Sequence, residues 1–127
     1  MENTSVTSER MYGVVQASRI IGESVENHEH EKLGKIHELV IDAAEGRLAY
    51  AVLSFGGFMG MGHKLFAMPW KAFKFSPDEN KLILNVDKTK LENAPGFDKD
   101  AKWPDFADRT WGLGIYQYYG YDPYWKS

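Results

Sequence analysis

The stretch "LAYAVLSF" (Leu48 to Phe55) carries apolar side chains on both of its alternating sets. Successive side chains of an extended chain point to opposite faces, so such a strand must be covered on both sides. It belongs at the centre of a sheet rather than at an edge, and the rest of the chain has to supply the cover. From Tyr12 to about Val86 the surrounding pattern is one of short apolar runs separated by turn residues, as in an all-β domain with small strands. Glu23 to Asn27 reads as extended and gives way to a polar bend, His28 to Lys32. "KIHELVID" (Lys35 to Asp42) starts with Ile36 between polar neighbours and then shifts phase at Leu39, Val40 and Ile41, which predicts a bulge. "KLFAMPW", "FKFS" and "KLILNV" supply further strands, with Pro69 at a strand end and with Leu82, Leu84 and Val86 on one face. Asp87 is placed to cap a short helix, Lys88 to Asn93, that Pro95 and Gly96 terminate.

With 127 residues and 43% apolar content, the chain can bury one core. Residues 1–10 are polar with a single valine and read as a disordered lead-in, residues 11–97 as the β domain, and residues 98–127 as an aromatic-rich extension. A formal charge of −3 creates no global positive field, which argues against nucleic acid as a partner. The absence of cysteine excludes disulfides and thiolate metal sites and fits a reducing compartment. No apolar run approaches the roughly 20 residues of a spanning helix, and no apolar signal core follows Met1. The expectation is a cytoplasmic protein with no direct membrane insertion.

Taken together, "ASRIIGESV", "EKLGKIHELVID", "EGRLAYAVLSFGGFMGMGHKLFAMPWKAF" and "KLILNVDKTKLENAPGF", in this order and spacing, resemble the PRC-barrel family. That family is named for the cytoplasmic part of the photosynthetic reaction-centre H subunit. The resemblance runs from about Ala17 to Phe97; the tail, "WPDFADRTWG" through "YYGYDPYW", is similar to an extension carried by some bacterial members. It implies a small six-stranded β-barrel with a short helix after the last strand and an irregular aromatic C-terminal extension. It also implies an assembly or regulatory module, here free-standing, and supplies neither a reaction nor catalytic residues. Fold does not determine function, so the sites are weighed separately.

The glycine-rich run "FGGFMGMGHKLFAMPW" lacks the pattern of a Walker phosphate loop: Lys64 is followed by Leu65 and a strand rather than by Ser or Thr and a helix. It reads as a connection between strands, with Phe58 and Met61 as exposed contact residues and an anion or ligand loop (Gly56 to Lys64) as the alternative. His28 and His30, with Glu23, Glu26, Glu29 and Glu31 around them, have donor chemistry suited to zinc or nickel, but a solvated turn is the simpler reading. No metal or cofactor is expected. His37 with Glu38 or Asp42, and Ser54 near His63, do not form a recognisable catalytic motif, so no enzymatic activity is expected.

Half of the chain's aromatic residues fall in the tail: Trp103, Phe106, Trp111, Tyr116, Tyr118, Tyr119, Tyr121, Tyr124 and Trp125. Aromatic residues bury large areas and dominate interfaces, so this surface needs a protein cover. Three covers are open: the chain's own barrel, a second copy in a homodimer, or a different protein. Asp105, Asp108 and Arg109 are expected among the rings as hydrogen-bonding or charge-paired spacers. The reading is a protein-binding or assembly module of unknown partner, with the tail aromatics, Phe58 and Met61 as contact residues. The alternative is a ligand- or metal-responsive sensor using the glycine-rich loop or the His28/His30 turn.

Overall fold

Residues 14–55, 64–76 and 81–126 are described by the structure, a computed structural model. Its strands are β1 (Ser24–Glu26), β2 (Lys32–Asp42), β3 (Arg47–Phe55), β4 (Lys64–Met68), β5 (Phe73–Ser76), β6 (Lys81–Leu84) and β7 (Phe97–Asp98). They form one seven-stranded sheet in the order β5-β6-β1-β2-β3-β4-β7. Neighbours are antiparallel except β1 and β6, which run parallel through Val25↔Leu82 and Glu26↔Ile83. The described residues hold seven strands where six were expected. No ladder among the described residues joins β5 to β7, so the sheet is open in its hydrogen bonding. The additional strand, β7, is two residues long and pairs Phe97 with Leu65 and Asp98 with Lys64 at the start of β4.

As expected, β3 is central, and Ala51, Val52 and Leu53 are fully buried. Its ladder with β2 shifts register between Ile36 and Glu38 and again between Val40 and Ile41, which is the expected bulge. Leu82, Leu84 and Val86 are buried together on the last long strand and its exit. The β1–β2 turn is organised by the buried Asn27, whose Oδ1 accepts the backbone N–H groups of Glu29 at 3.0 Å and Glu31 at 2.9 Å.

Among the described residues three α-helices accompany the sheet: α1 (Ala17–Ile20), α2 (Lys88–Glu92) and α3 (Arg109–Tyr119). Asp87 caps α2 by accepting the Lys90 N–H at 2.7 Å, as its position in the sequence predicts. None of the helices among the described residues is long and apolar enough to cross a membrane. The extension expected to be irregular contains α3 instead. Asp108 is its N-cap, with Oδ1 accepting the N–H groups of Thr110 at 2.9 Å and Trp111 at 3.3 Å, and Gly120 closes it in the left-handed region at φ 82°. The helix buries Gly112, Ile115, Tyr116 and Tyr119, a stripe with the 3.6-residue period, against the chain's own sheet.

Candidate functional site

The second face of β3 is where the tail comes to rest. Tyr50, fully buried, is surrounded by the rings of Phe106, Trp111, Tyr116 and Tyr124 at centroid distances of 5.9, 5.4, 5.6 and 6.3 Å. Aromatic pairs at these separations and tilted angles are mutually attractive beyond the area they bury. Three tyrosine hydroxyls pin the layer. Tyr116 donates to the Ala49 carbonyl at 2.5 Å, Tyr118 to the Lys90 carbonyl at 2.6 Å, and Tyr124 to Asp42 Oδ2 at 2.7 Å. The apolar character of β3 on both alternating sets is thereby explained, because the tail covers the set that contains Tyr50.

Of the tail residues expected as contacts, Tyr116 and Tyr119 are buried in the core, 2% and 8% exposed, and are core residues rather than surface anchors. Trp103, Phe106, Trp111, Tyr118, Tyr121, Tyr124 and Trp125 are partly buried, each keeping some accessible surface. Phe58 and Met61, like the rest of the glycine-rich loop up to His63, lie outside the described residues. Asp105 and Asp108 serve backbone groups, Asp105 Oδ1 accepting the Ala107 N–H at 3.0 Å.

Between the end of the β2–β3 hairpin and this layer lies a groove of about 350 Å³, lined by Val40, Ile41, Asp42, Ala43, Ala49, Phe106, Ala107, Arg109 and Tyr124. Sequence reasoning passed over Ile41 as a site residue and gave Arg109 only as a charge-paired spacer among the rings. Ile41 is 60% exposed, because the register shift after Val40 takes it out of the alternation that buries its neighbours. Arg109 stands at the first turn of α3 with 59% of its side chain exposed, its guanidinium 5.1 Å over the Trp125 ring and 3.8 Å from Glu45 Oε2. The phase shift in "KIHELVID" was a usable signal for Ile41; Arg109 had none beyond its aromatic surroundings.

The electrostatics follow from burial and from the Tyr124–Asp42 bond. That bond, helped by the Glu45 N–H at 3.0 Å, holds the Asp42 carboxyl below the usual carboxylate range. Burial foremost, then the same bond, pushes the Tyr124 phenol up to about 12. Tyr50, Tyr116 and Tyr119 are raised further by burial.

The other candidate groups are dispersed. His28 and His30 sit on an exposed turn, His30 with φ 66° and its Nδ1 3.7 Å from Glu26 Oε1. Glu26 Oε2 accepts from Lys81 Nζ at 2.7 Å, which is the main reason its carboxyl is held low. Among the described residues no group of three or more His, Asp or Glu side chains is arranged to hold a metal. The turn does line a polar cleft of about 260 Å³ with Asn85, Val86, Asp87 and Lys90. His37 packs on Trp103 with ring centroids 5.8 Å apart, and Glu38 Oε1 accepts the Leu39 N–H at 3.1 Å.

The described residues thus define a mostly-sheet module with a helical aromatic cover and a surface groove where the two meet. A family model, the PRC-barrel domain, matches residues 13–91, and the chain belongs to that family. A search of curated proteins finds no match. The family match ends at α2, so α3 and the groove wall made by Phe106, Ala107, Arg109 and Tyr124 lie beyond it.

Proposed function

We propose that this chain is a non-catalytic protein-binding or assembly module whose contact surface is the groove between the β2–β3 hairpin and the aromatic cover. The observation that carries this reading is Ile41, a large apolar side chain 60% exposed at the edge of a concave surface that also contains Phe106 and Tyr124. Concave surfaces that combine aromatic rings, an aliphatic residue and an arginine suit the anchors that dominate protein interfaces. The non-catalytic part is supported by the way His37, Glu38 and Asp42 are each engaged in a packing or hydrogen-bonding role. Cytoplasmic location and partners other than nucleic acid belong to the same reading, on the charge and composition already given.

A photo-crosslinking residue introduced at Ala107, compared with one at exposed Lys88, tests it in lysate of the source cells. Capture of a discrete protein from position 107 that is competed by unlabelled chain and lost with Ile41→Glu is the expected result. Capture of a second copy would make the assembly a homodimer. Equal capture from both positions, or none, would remove the groove as a docking surface. The polar cleft beside His28 favours a second reading, a ligand- or metal-responsive sensor. A thermal-shift screen against zinc, nickel, phosphate and nucleotides separates the two, since a sensor gains several degrees with one of these and a docking module with none.

A further inference from the structure

The sheet's hold on the chain through the backbone ends at β7, where Phe97 and Asp98 pair with β4. Among the described residues no backbone-to-backbone hydrogen bond joins residues 100–126 to the sheet; their bonds close within the segment, apart from one from the Ala101 N–H to the Asp98 carbonyl at 3.2 Å. Helix α3 is capped by its own neighbours, Asp108 and Gly120, so it gives up no backbone bond by moving away. Side chains alone fasten the cover: the rings packed around Tyr50, and the hydroxyls of Tyr116, Tyr118 and Tyr124 on Ala49, Lys90 and Asp42. Residues 99–102, between β7 and the first ring of the cover, are exposed.

Burial of Ile115, Tyr116 and Tyr119 favours the closed arrangement. It is offset in part by two buried hydroxyls, Tyr50 on the sheet and Tyr119 on the helix, that have no hydrogen-bond partner among the described residues. Such groups regain water when they are uncovered. The groove straddles the same boundary, with Val40, Ile41 and Ala49 on the sheet and Phe106, Arg109 and Tyr124 on the cover. We infer that residues 99–126 form a lid that opens as one unit about the exposed link at 99–102 while the sheet stays folded, and that the groove exists only while the lid is closed. A partner seated in the groove would hold the lid shut, and release of the lid would remove the docking surface. That consequence rests on the protein-binding reading above; the lid itself does not.

Native-state amide hydrogen exchange of the full chain, followed by NMR at increasing urea below the unfolding transition, tests it. The amides of Ile115, Tyr116 and Tyr119 are expected to share one opening free energy and one urea dependence, with protection about tenfold or more below that of Ala51, Val52 and Leu53 in β3. Val25→Ala weakens the sheet at buried β1, a part that stays folded when the lid opens. It should therefore lower β3 protection about tenfold and leave that of α3 unchanged. Equal protection and equal urea dependence of α3 and β3 in the parent chain overturn the inference, as does residue-by-residue fraying of α3 with no urea dependence. A parallel loss at both in Val25→Ala overturns it too, and the parent-chain measurement decides alone if that variant does not fold. Position-107 crosslinks without a separately exchanging α3 would keep the docking reading and end the lid; a separately exchanging α3 without crosslinks would do the reverse.

Discussion

Tyr50 is fully buried and its hydroxyl has no hydrogen-bond partner among the described residues, whereas the Tyr116 hydroxyl beside it reaches the Ala49 carbonyl. A buried polar group without a partner costs its desolvation, and a paired one contributes about 1 kcal/mol net. The two Tyr→Phe substitutions should therefore differ in sign: Tyr116→Phe is expected to lose about 1 kcal/mol and Tyr50→Phe to leave stability unchanged or raise it. Urea denaturation of the pair decides this, and a loss in Tyr50→Phe as large as in Tyr116→Phe would show that the Tyr50 hydroxyl is satisfied. The glycines of α3 offer a similar contrast. A Cβ on Gly112 would collide with the Tyr50 hydroxyl and meet the Trp125 ring at 3.2 Å, while a Cβ on Gly114 meets nothing within 4 Å. Alanine at either site improves helix propensity by up to about 1 kcal/mol. At Gly112 overpacking, about 1–3 kcal/mol, outweighs that gain, so Gly112→Ala should destabilise and Gly114→Ala should stabilise. Thermal melts that shift the same way for both would mean the helix does not sit this close to β3.

At the scale of elements, the strands were legible because their side chains obey a period that burial enforces. Leu82, Leu84 and Val86 share a face, β3 is apolar on both, and Asp87 stands at the head of its helix as a capping residue should. The helix α3 was not legible for a related reason. Its sequence has the right markers, Asp108 before it, Gly120 after it, and Trp111, Ile115 and Tyr119 at intervals of four, but Gly112 and Gly114 look like breakers. Gly112 is there because the helix approaches Tyr50 too closely for a side chain, and that contact spans a long stretch of sequence. Two-residue β7 has no period to read at all. The candidate site was legible in part. The tail announced a need for cover, but which rings it buries is set by tertiary packing, and Ile41 reached the surface through a bulge whose outcome depends on β3. If the Asp108 cap sets the start of α3, Asp108→Ala should cost about 1 kcal/mol and Asp108→Asn much less. Far-ultraviolet dichroism through a thermal melt checks this; equal losses in the two variants would assign the effect to charge rather than to the cap.

For the whole molecule, the ionisable groups that join the tail to the sheet set a window of pH in which the two stay together. On the alkaline side, Tyr50, Tyr116 and Tyr119 are raised by burial and Tyr124 is pushed up to about 12. Their folded values lie above the roughly 10 of a solvated phenol, so the unfolded chain releases these protons first. Stability is therefore full below about pH 10 and falls as the pH rises beyond it. On the acid side the sign is reversed. Asp42, held low chiefly by the Tyr124 hydroxyl, and Glu26, held low chiefly by Lys81, contribute stability that is present above about pH 4 and is lost as the pH falls. Tyr124→Phe removes the main cause of the Asp42 depression while leaving the Glu26–Lys81 contact in place, since that pair links β1 to β6 on another part of the sheet. The variant should show a shallower loss of stability between about pH 4 and pH 2 in urea denaturation, with part of the slope retained through Glu26. An acid slope identical to that of the parent chain would mean that Asp42 titrates without sensing the tail, and the hydrogen bond would then have no part in holding the cover to the β2–β3 hairpin.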